Sequence, residues 1–145
     1  MPKPMSRAAR EAFLREPRPA VFSIPQDGKG PLSSPVWFDF EPAGDFWIVM
    51  QKDSRKGRLM QVGTCVSLCV QQEARPYKYV TVEGPVTAAV PYDADTDLRA
   101  MAARYLGDEE AAGFVEGMRE TVAKGNGIKV SFKPTRWMSA DYEAT

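Results

Sequence analysis

The sequence predicts one α+β domain over residues 1–145, a partly closed antiparallel β-barrel of six to seven strands with an N-terminal helix and an inserted helical hairpin. The chain has 145 residues, of which 43% are hydrophobic and 26% charged, and this composition is typical of a domain with one core. Between residues 20 and 90, β-branched and aromatic residues alternate with polar ones, which is typical of strands. Between residues 92 and 124 the period changes to about 3.6, which is typical of amphipathic helices.

The N-terminal segment is predicted to form a short helix from Ser6 through Glu16. The Ser6 hydroxyl can accept a hydrogen bond from the first helical turn, and Pro17 and Pro19 prevent the helix from continuing. We expect disorder ahead of this helix, from Met1 to about Met5.

Five strands are predicted in the alternating part of the chain. In the fourth, the apolar residues from Val66 to Val70 share one face, while Cys65 and Cys69 share the other. The two cysteines would lie about 13 Å apart, too far for a disulfide, and are expected to be reduced packing residues. Gly84-Pro85 within the fifth strand indicates a bulge or bend that curls the sheet. The predicted strands cover residues 20–24, 32–40, 46–52, 64–72 and 78–90.

Two amphipathic helices are predicted next, joined by a break at Gly107. Leu98 and Met101 belong to the apolar face of the first helix, and Val115 and Met118 to that of the second. A glycine-containing turn at 125–127 then returns the chain to the sheet as a sixth strand, and residues 135–142 add a final edge strand.

The charge balance and the absence of histidine exclude several classes of function. Nineteen basic residues balance nineteen acidic ones, so no net field attracts nucleic acid or an anionic membrane surface. Without histidine, Ser-His-Asp and Cys-His catalysis, histidine-bound zinc and histidine-ligated haem are excluded, and we expect no metal site. The longest run without a charge, 59–72, is shorter than the roughly 18 residues of a membrane-spanning helix. Reduced cysteines, and an N-terminus without the apolar core of a secretion signal, favour the cytoplasm.

A cluster of cations follows the third predicted strand. It contains Lys52, Arg55, Lys56 and Arg58, and either Ser54 or the preceding aspartate can cap a short helix there. Cations at a helix N-terminus oppose the helix dipole unless a bound anion neutralises them. A phosphate would receive hydrogen bonds from backbone N–H groups, from the serine hydroxyl and from the cations. The pattern alone leaves open the alternative of a solvated charge run that joins two strands.

Three segments together resemble the split β-barrel flavin-binding family. They are the hydrophobic strand at 46–51, the run Ser54-Arg55-Lys56, and the strand at 79–84, which reads Tyr-Val-Thr-Val-Glu-Gly. The family includes pyridoxamine phosphate oxidases and small reductases that use the deazaflavin coenzyme F-420. The resemblance covers residues 11–142 approximately and implies a split β-barrel. It also implies that the cofactor phosphate is bound by Ser54, Arg55 and Lys56, with Lys52 and Arg58 assisting, and that the ring system is lined by Ser34, Pro35, Val36 and Trp37.

Two departures from the oxidases narrow the activity that the resemblance implies. The arginine-rich C-terminal segment with its histidine, which shapes the vitamin B6 pocket of the oxidases, has no counterpart between Phe132 and Thr145. The second predicted strand also lacks the arginine that the oxidases direct toward the flavin. The resemblance therefore implies an F-420-dependent reductase that transfers hydride to an electron-poor small molecule, with the proton coming from solvent or from Tyr79. The alternatives are an FMN-binding oxidoreductase of the same fold and a cofactor carrier without enzymatic activity.

The resemblance also implies a homodimer with the cofactor site between protomers. A partly open barrel leaves apolar strand faces, and aromatic residues such as Trp47 and Tyr79, that need to be covered. The expected partners are a second copy of the chain and a small-molecule substrate, with neither nucleic acid nor a membrane. No residue is assigned a catalytic role.

Overall fold

The computed structural model describes residues 2–144, which form an antiparallel sheet of eight strands and three α-helices. The predicted α+β class and antiparallel half-barrel are confirmed. The helices are α1 (Arg7–Arg15), α2 (Arg99–Leu106) and α3 (Asp108–Ala123). The strands are β1 (Ala20–Ile24), β2 (Leu32–Val36), β3 (Asp39–Phe40), β4 (Phe46–Gln51), β5 (Cys65–Gln72), β6 (Lys78–Pro91), β7 (Gly127–Phe132) and β8 (Arg136–Asp141).

Strand β6 organises the sheet because it pairs with three other strands. The strand order is β2-β1-β5-β6-β7-β4-β3, and β8 pairs with β6 outside this path. The first half of β6 lies between β5 and β8, whereas its second half pairs with β7. The sheet therefore divides along β6, which gives the half-barrel its split shape.

Gly84 lies where the sheet divides. The segment that links β7 to β8 crosses β6 there, and the N–H groups of Lys133 and Thr135 donate to the carbonyls of Pro85 and Glu83 at 3.0 and 2.9 Å. A β-carbon on residue 84 would overlap the carbonyl oxygen of Lys133. Only glycine allows the two backbone segments to approach this closely.

The bulge in β6 lies further along the strand than the sequence predicts. The pairing of β6 with β7 shifts between Val86 and Ala88, so Thr87 is the extra residue and not Gly84-Pro85. The Thr87 hydroxyl donates to the Asp45 carboxylate at 2.8 Å. The extra residue, Thr87, thus has a side-chain partner outside the β6–β7 pairing. Gly84 has a different role, because it allows the link between β7 and β8 to cross β6.

The strand predicted over residues 32–40 is two strands, which raises the number to eight. Strand β2 pairs with β1, and β3 pairs with β4 on the other side of the half-barrel. Between them, the Phe38 N–H donates to the Tyr105 hydroxyl at 3.1 Å, and the Phe38 carbonyl accepts from the Arg104 guanidinium at 2.9 Å. Helix α2 thus occupies the backbone groups that a continuous strand would use for pairing.

The interior of the half-barrel is filled by alternate apolar residues of its strands. Phe22, Phe46 and Phe132 are fully buried, and the rings of Phe46 and Phe132 stack with centroids 5.5 Å apart. Cys65 and Cys69 point to the opposite face as free thiols, as predicted, but Cys65 is exposed there and is not the packing residue that the sequence suggests. The period of two in the sequence therefore identified the core face of β5 correctly.

Helix α1 begins and ends as predicted. The Ser6 hydroxyl accepts a hydrogen bond of 3.1 Å from the first turn. The disorder expected ahead of the helix is not found in residues 2–5, because Lys3 pairs with Asp141 at the end of β8 and Met5 is buried. Met1 lies outside the described residues.

The predicted helical hairpin packs against the outside of the sheet. Tyr92, Leu98 and Val115 form an apolar cluster with Val49 of β4. A turn of π-helix (Ala94–Leu98) leads into α2, and α3 follows after Gly107, whose φ is +84°. None of the described helices is long and apolar enough to cross a membrane. The hairpin and the sheet enclose a cleft between them.

Candidate functional site

The cleft has a volume of about 540 Å³. Its walls are the end of β2, the end of β4, the segment after β6 and one side of α3. The polar side chains that line it are Gln51, Lys56 and Tyr92, and the other lining residues are apolar. The apolar lining consists of Pro19, Pro35, Val36, Trp37, Val49, Met50, Leu98, Phe114 and Met118.

Trp37 forms an aromatic wall of the cleft. Its indole stacks on the ring of Tyr105, with centroids 5.0 Å apart and planes at 7°, and lies 5.5 Å from the ring of Phe114. The Tyr105 hydroxyl donates to the Arg18 carbonyl at 2.8 Å and accepts from the Phe38 N–H at 3.1 Å. The wall is thus held in place by the protein itself, and it offers a flat apolar surface to a planar ligand.

The cationic segment after β4 is a tight loop and not the predicted short helix. Only Gly57–Leu59 form a single 3₁₀ turn. The Ser54 hydroxyl accepts from the Gly57 N–H at 3.0 Å and donates to the Gln51 carbonyl at 2.6 Å, so Ser54 caps the turn. A β-carbon on Gly57 would overlap the Gln51 carbonyl oxygen, which shows how closely the loop folds onto the end of β4. A turn of this length supplies no helix dipole, so any anion bound here depends on side-chain charges and single N–H groups.

Lys56 is the cation of this loop that reaches the cleft. Its ammonium group donates to the Ser34 hydroxyl at 3.2 Å, and no carboxylate of the described residues pairs with it. Burial lowers the pKa of the Lys56 ammonium below its ordinary value of 10.5. A bound anion therefore stabilises a half-buried cation that has no carboxylate partner more than it stabilises a fully solvated cation.

The other predicted cations of the loop have different environments. Lys52 and Arg55 are exposed, and their side chains make no hydrogen bond or ion pair with any described residue. The Arg58 guanidinium donates to the Asp53 carbonyl at 2.7 Å and therefore stabilises the loop itself. The loop thus presents one cation to the cleft and two to solvent.

The four predicted ring-lining residues lie together at the end of β2. Pro35, Val36 and Trp37 line the cleft directly, and Ser34 is connected to it through the Lys56 ammonium. The structure therefore brings β2 and the cationic loop to the same cleft, although the two segments are about twenty residues apart in sequence.

Four further residues line the cleft that the sequence alone does not mark as site residues: Gln51, Tyr92, Phe114 and Met118. Phe114 and Met118 are four residues apart on α3, and this spacing was the available signal, but it does not distinguish a cleft wall from core packing. Tyr92 is 6% exposed, and its hydroxyl has no hydrogen-bond partner among the described residues. Burial raises the pKa of this hydroxyl above its ordinary value of 10.0.

Comparison with solved structures shows what fold this arrangement belongs to. A conserved hypothetical protein from Mycobacterium tuberculosis is similar with a TM-score of 0.72 and 18% identity, covering 95% of this chain and 86% of that one. An F420 reductase is similar with a TM-score of 0.61 and 17% identity, covering 88% of this chain and 94% of that one. An FAD and haem binding protein from Mycobacterium smegmatis is similar with a TM-score of 0.67 and 16% identity, covering 94% of this chain and 71% of that one.

No protein-family model matches the sequence, and no curated protein matches it significantly. At the identities of the solved structures, the likeness shows the fold. The split-barrel fold that the sequence resemblance implies is therefore confirmed.

Proposed function

We propose that this chain is a cytoplasmic oxidoreductase that binds the deazaflavin coenzyme F-420 and reduces an electron-poor small molecule. The observation that carries the proposal is the position of Lys56, a half-buried cation without a carboxylate partner at the edge of an otherwise apolar cleft. A cofactor with a planar ring and a phosphate requires both features together. The fold likeness to an F420 reductase supports the choice of cofactor class.

The residues present fit such a cofactor. The Lys56 ammonium and the backbone around Ser54 would hold the phosphate, while Pro35, Val36 and Trp37 would contact the ring system. Bound there, the cofactor supplies hydride chemistry, and the protein binds, orients and excludes water. The apolar walls contributed by α3 exclude water from the cleft.

The solvent-facing cations favour F-420 over FMN. A deazaflavin cofactor has a longer anionic tail than FMN, and Lys52 and Arg55 are free of protein partners in the same loop as Lys56. Charges at these positions would contribute little to the binding of FMN, because its single phosphate would be bound by Lys56. Each ion pair between one of these exposed cations and the cofactor tail is expected to contribute about 1 kcal/mol or less to the binding free energy.

The decisive experiment is a titration of the full chain with F-420 and with FMN at one fixed ionic strength, followed through cofactor fluorescence. Tighter binding of F-420, with oxidation of the reduced cofactor by quinone or enone acceptors, is the expected result. Tighter FMN binding with oxygen-dependent turnover would replace F-420 by FMN. Tight F-420 binding without reduction of any acceptor would indicate a cofactor carrier.

We also propose that two copies of the chain form the functional unit. A row of uncharged side chains runs across the outer face of the half-barrel, where Pro35, Val21, Cys69, Thr81 and Met138 are successive cross-strand neighbours. Val21 is 45% and Met138 56% exposed, so this face carries apolar surface that a second copy could cover.

Trp47 and Tyr79 are the aromatic residues expected to be covered by a second copy of the chain, and they do not support the dimer equally. Trp47 is only 9% exposed, and the Lys129 ammonium lies 4.4 Å from its ring centroid, so it is already covered within the chain. Tyr79 is half-buried on the outer face, beside Ala140 of β8. The row from Val21 to Met138 therefore supports the dimer better than Trp47 does.

A further inference from the structure

The hydroxyl of Tyr92 is a polar group that the proposed function leaves unused. Tyr92 is 6% exposed, and its hydroxyl has no hydrogen-bond partner among the described residues. Among residues 2–144, Arg10 Nε is the one side-chain polar atom that is sealed from solvent and has no hydrogen-bond partner, so the Tyr92 hydroxyl does not belong to this class. The Tyr92 hydroxyl is therefore not sealed from solvent, and Tyr92 is one of the residues that line the cleft.

The ring of Tyr92 is held in one position. Its backbone N–H donates to the Gly127 carbonyl at 3.3 Å, and a β-carbon on Gly127 would overlap the hydroxyl end of the ring. Leu98 and Val115 pack against it from the helical hairpin. The hydroxyl is thus placed before any ligand arrives, and little side-chain entropy is lost when it forms a hydrogen bond.

The charges around the cleft restrict what Tyr92 can contact. Lys56 is the one ionised side chain among the residues that line the cleft, and the proposed function assigns it to the cofactor phosphate. The rest of the lining consists of the Gln51 amide, the Tyr92 hydroxyl, the Trp37 indole and apolar side chains. A second ionised group would have no counter-charge there, so the remaining space suits an uncharged, flat molecule.

We propose that the Tyr92 hydroxyl donates a hydrogen bond to an oxygen of the substrate, and that the substrate is an uncharged ring compound carrying a carbonyl or quinone oxygen. This inference rests on the proposed function, because it places the substrate in the same cleft as the cofactor ring. Tyr92 is protonated at neutral pH and can act as the donor, whereas the Phe114 and Met118 side chains of the same cleft have no N–H or O–H to donate.

The test compares a quinone with the matching hydrocarbon. Tetramethyl-p-benzoquinone and tetramethylbenzene have the same ring and methyl groups, and only the quinone has oxygens. The fully substituted quinone also has no free ring position for addition of the exposed Cys65 thiol. Binding of each to the full chain is measured by equilibrium dialysis for wild type, Tyr92→Phe and the control Tyr77→Phe, whose side chain is exposed away from the cleft.

We expect Tyr92→Phe to bind the quinone about three- to tenfold more weakly than wild type, the loss of one neutral hydrogen bond, and to bind the hydrocarbon equally well. Tyr77→Phe should match wild type for both. Equal weakening for both compounds would indicate a packing role and overturn the inference, as would unchanged quinone binding or no quinone binding to wild type.

A parallel F-420 titration separates this inference from the proposed function. Tyr92→Phe should bind F-420 within twofold of wild type, because the phosphate contacts are intact. Failure of wild type to bind F-420 contradicts the proposed function, whereas normal F-420 binding without a selective loss of quinone affinity contradicts the role of Tyr92 alone.

Discussion

The Lys56 ammonium donates a hydrogen bond of 3.2 Å to the Ser34 hydroxyl and so joins the loop after β4 to strand β2. The two residues lie 22 positions apart in the chain. A hydroxyl is a weak partner for a half-buried ammonium compared with a carboxylate, and the cation keeps capacity for further acceptors. This pairing makes Lys56 the most informative residue for experiment.

Replacing Lys56 by alanine should weaken F-420 binding by about 1–3 kcal/mol, the range for losing a hydrogen bond to a charged group. The measurement is a cofactor-fluorescence titration of both proteins at the same ionic strength. Lys124→Ala is the matched control, because that lysine is exposed on the surface and pairs with Glu120. An effect of Lys56→Ala no larger than that of the control would contradict a phosphate-binding role.

Replacing Lys56 by methionine should stabilise the ligand-free protein by roughly 0.5–2 kcal/mol at neutral pH, a common gain when a functional site residue is removed. Burial lowers the pKa of this ammonium below 10.5, so half-burying the charge costs stability while both states are protonated. Between the folded-state pKa and 10.5, the unfolded chain binds more protons, and the stability of wild type rises relative to the variant.

The advantage of Lys56→Met should therefore shrink as the pH rises toward 10.5. Urea unfolding at neutral and alkaline pH, with both proteins measured side by side, gives the two free-energy differences. A variant that is less stable than wild type at neutral pH would show that the Ser34 hydrogen bond outweighs the cost of burying the charge.

Replacing Gly57 by alanine should destabilise the loop by about 1–3 kcal/mol and weaken anion binding, because the added β-carbon overlaps the Gln51 carbonyl. Gly117→Ala is the opposite case. Residue 117 lies in α3 with no atom within 4 Å of a β-carbon, so alanine there should stabilise the helix by about 0.5–1 kcal/mol. Thermal unfolding of both variants tests the sign of each change, and a neutral Gly57→Ala would mean that the loop can move away from β4.

The purified chain should have twice the mass of one copy in light scattering at micromolar concentration, if the outer face of the half-barrel is the dimer interface. Met138→Asp places a charge at the exposed end of the uncharged row and should yield monomers. Val62→Asp changes a valine that is 70% exposed in the loop before β5 and should leave the dimer intact. A wild-type monomer with F-420 fully bound would rule out a site shared between protomers.

The local patterns in the sequence determined most of the architecture. Alternation from Val66 to Val70 identified the core face of β5, and Ser6 together with Pro17 identified both ends of α1. The 3.6 period of residues 98–122 identified the two helices of the hairpin. These features depend on contacts within one segment or on which face is buried, and both leave a periodic signature in the chain.

The divisions of the sheet could not be predicted in the same way. The sequence from 32 to 40 has continuous strand character, yet helix α2 takes the backbone groups of Phe38 through Arg104 and Tyr105. The bulge lies at Thr87 and not at Gly84, because Gly84 is required where the link between β7 and β8 crosses. In each case the deciding partner is about 45 residues or more away in sequence, and no periodicity records it.

The candidate site shows the same division. The composition of the loop after β4 singled out its cations, but only the tertiary structure selected Lys56 for the cleft, left Lys52 and Arg55 in solvent and turned Arg58 back onto its own loop. Tyr92 enters the site because the helical hairpin and β7 enclose its ring beside the cleft and leave its hydroxyl without a partner among the described residues. Residue type decides which groups can bind an anion or donate a proton, whereas burial and the distance to partners remote in sequence decide which of those groups are left free to do so.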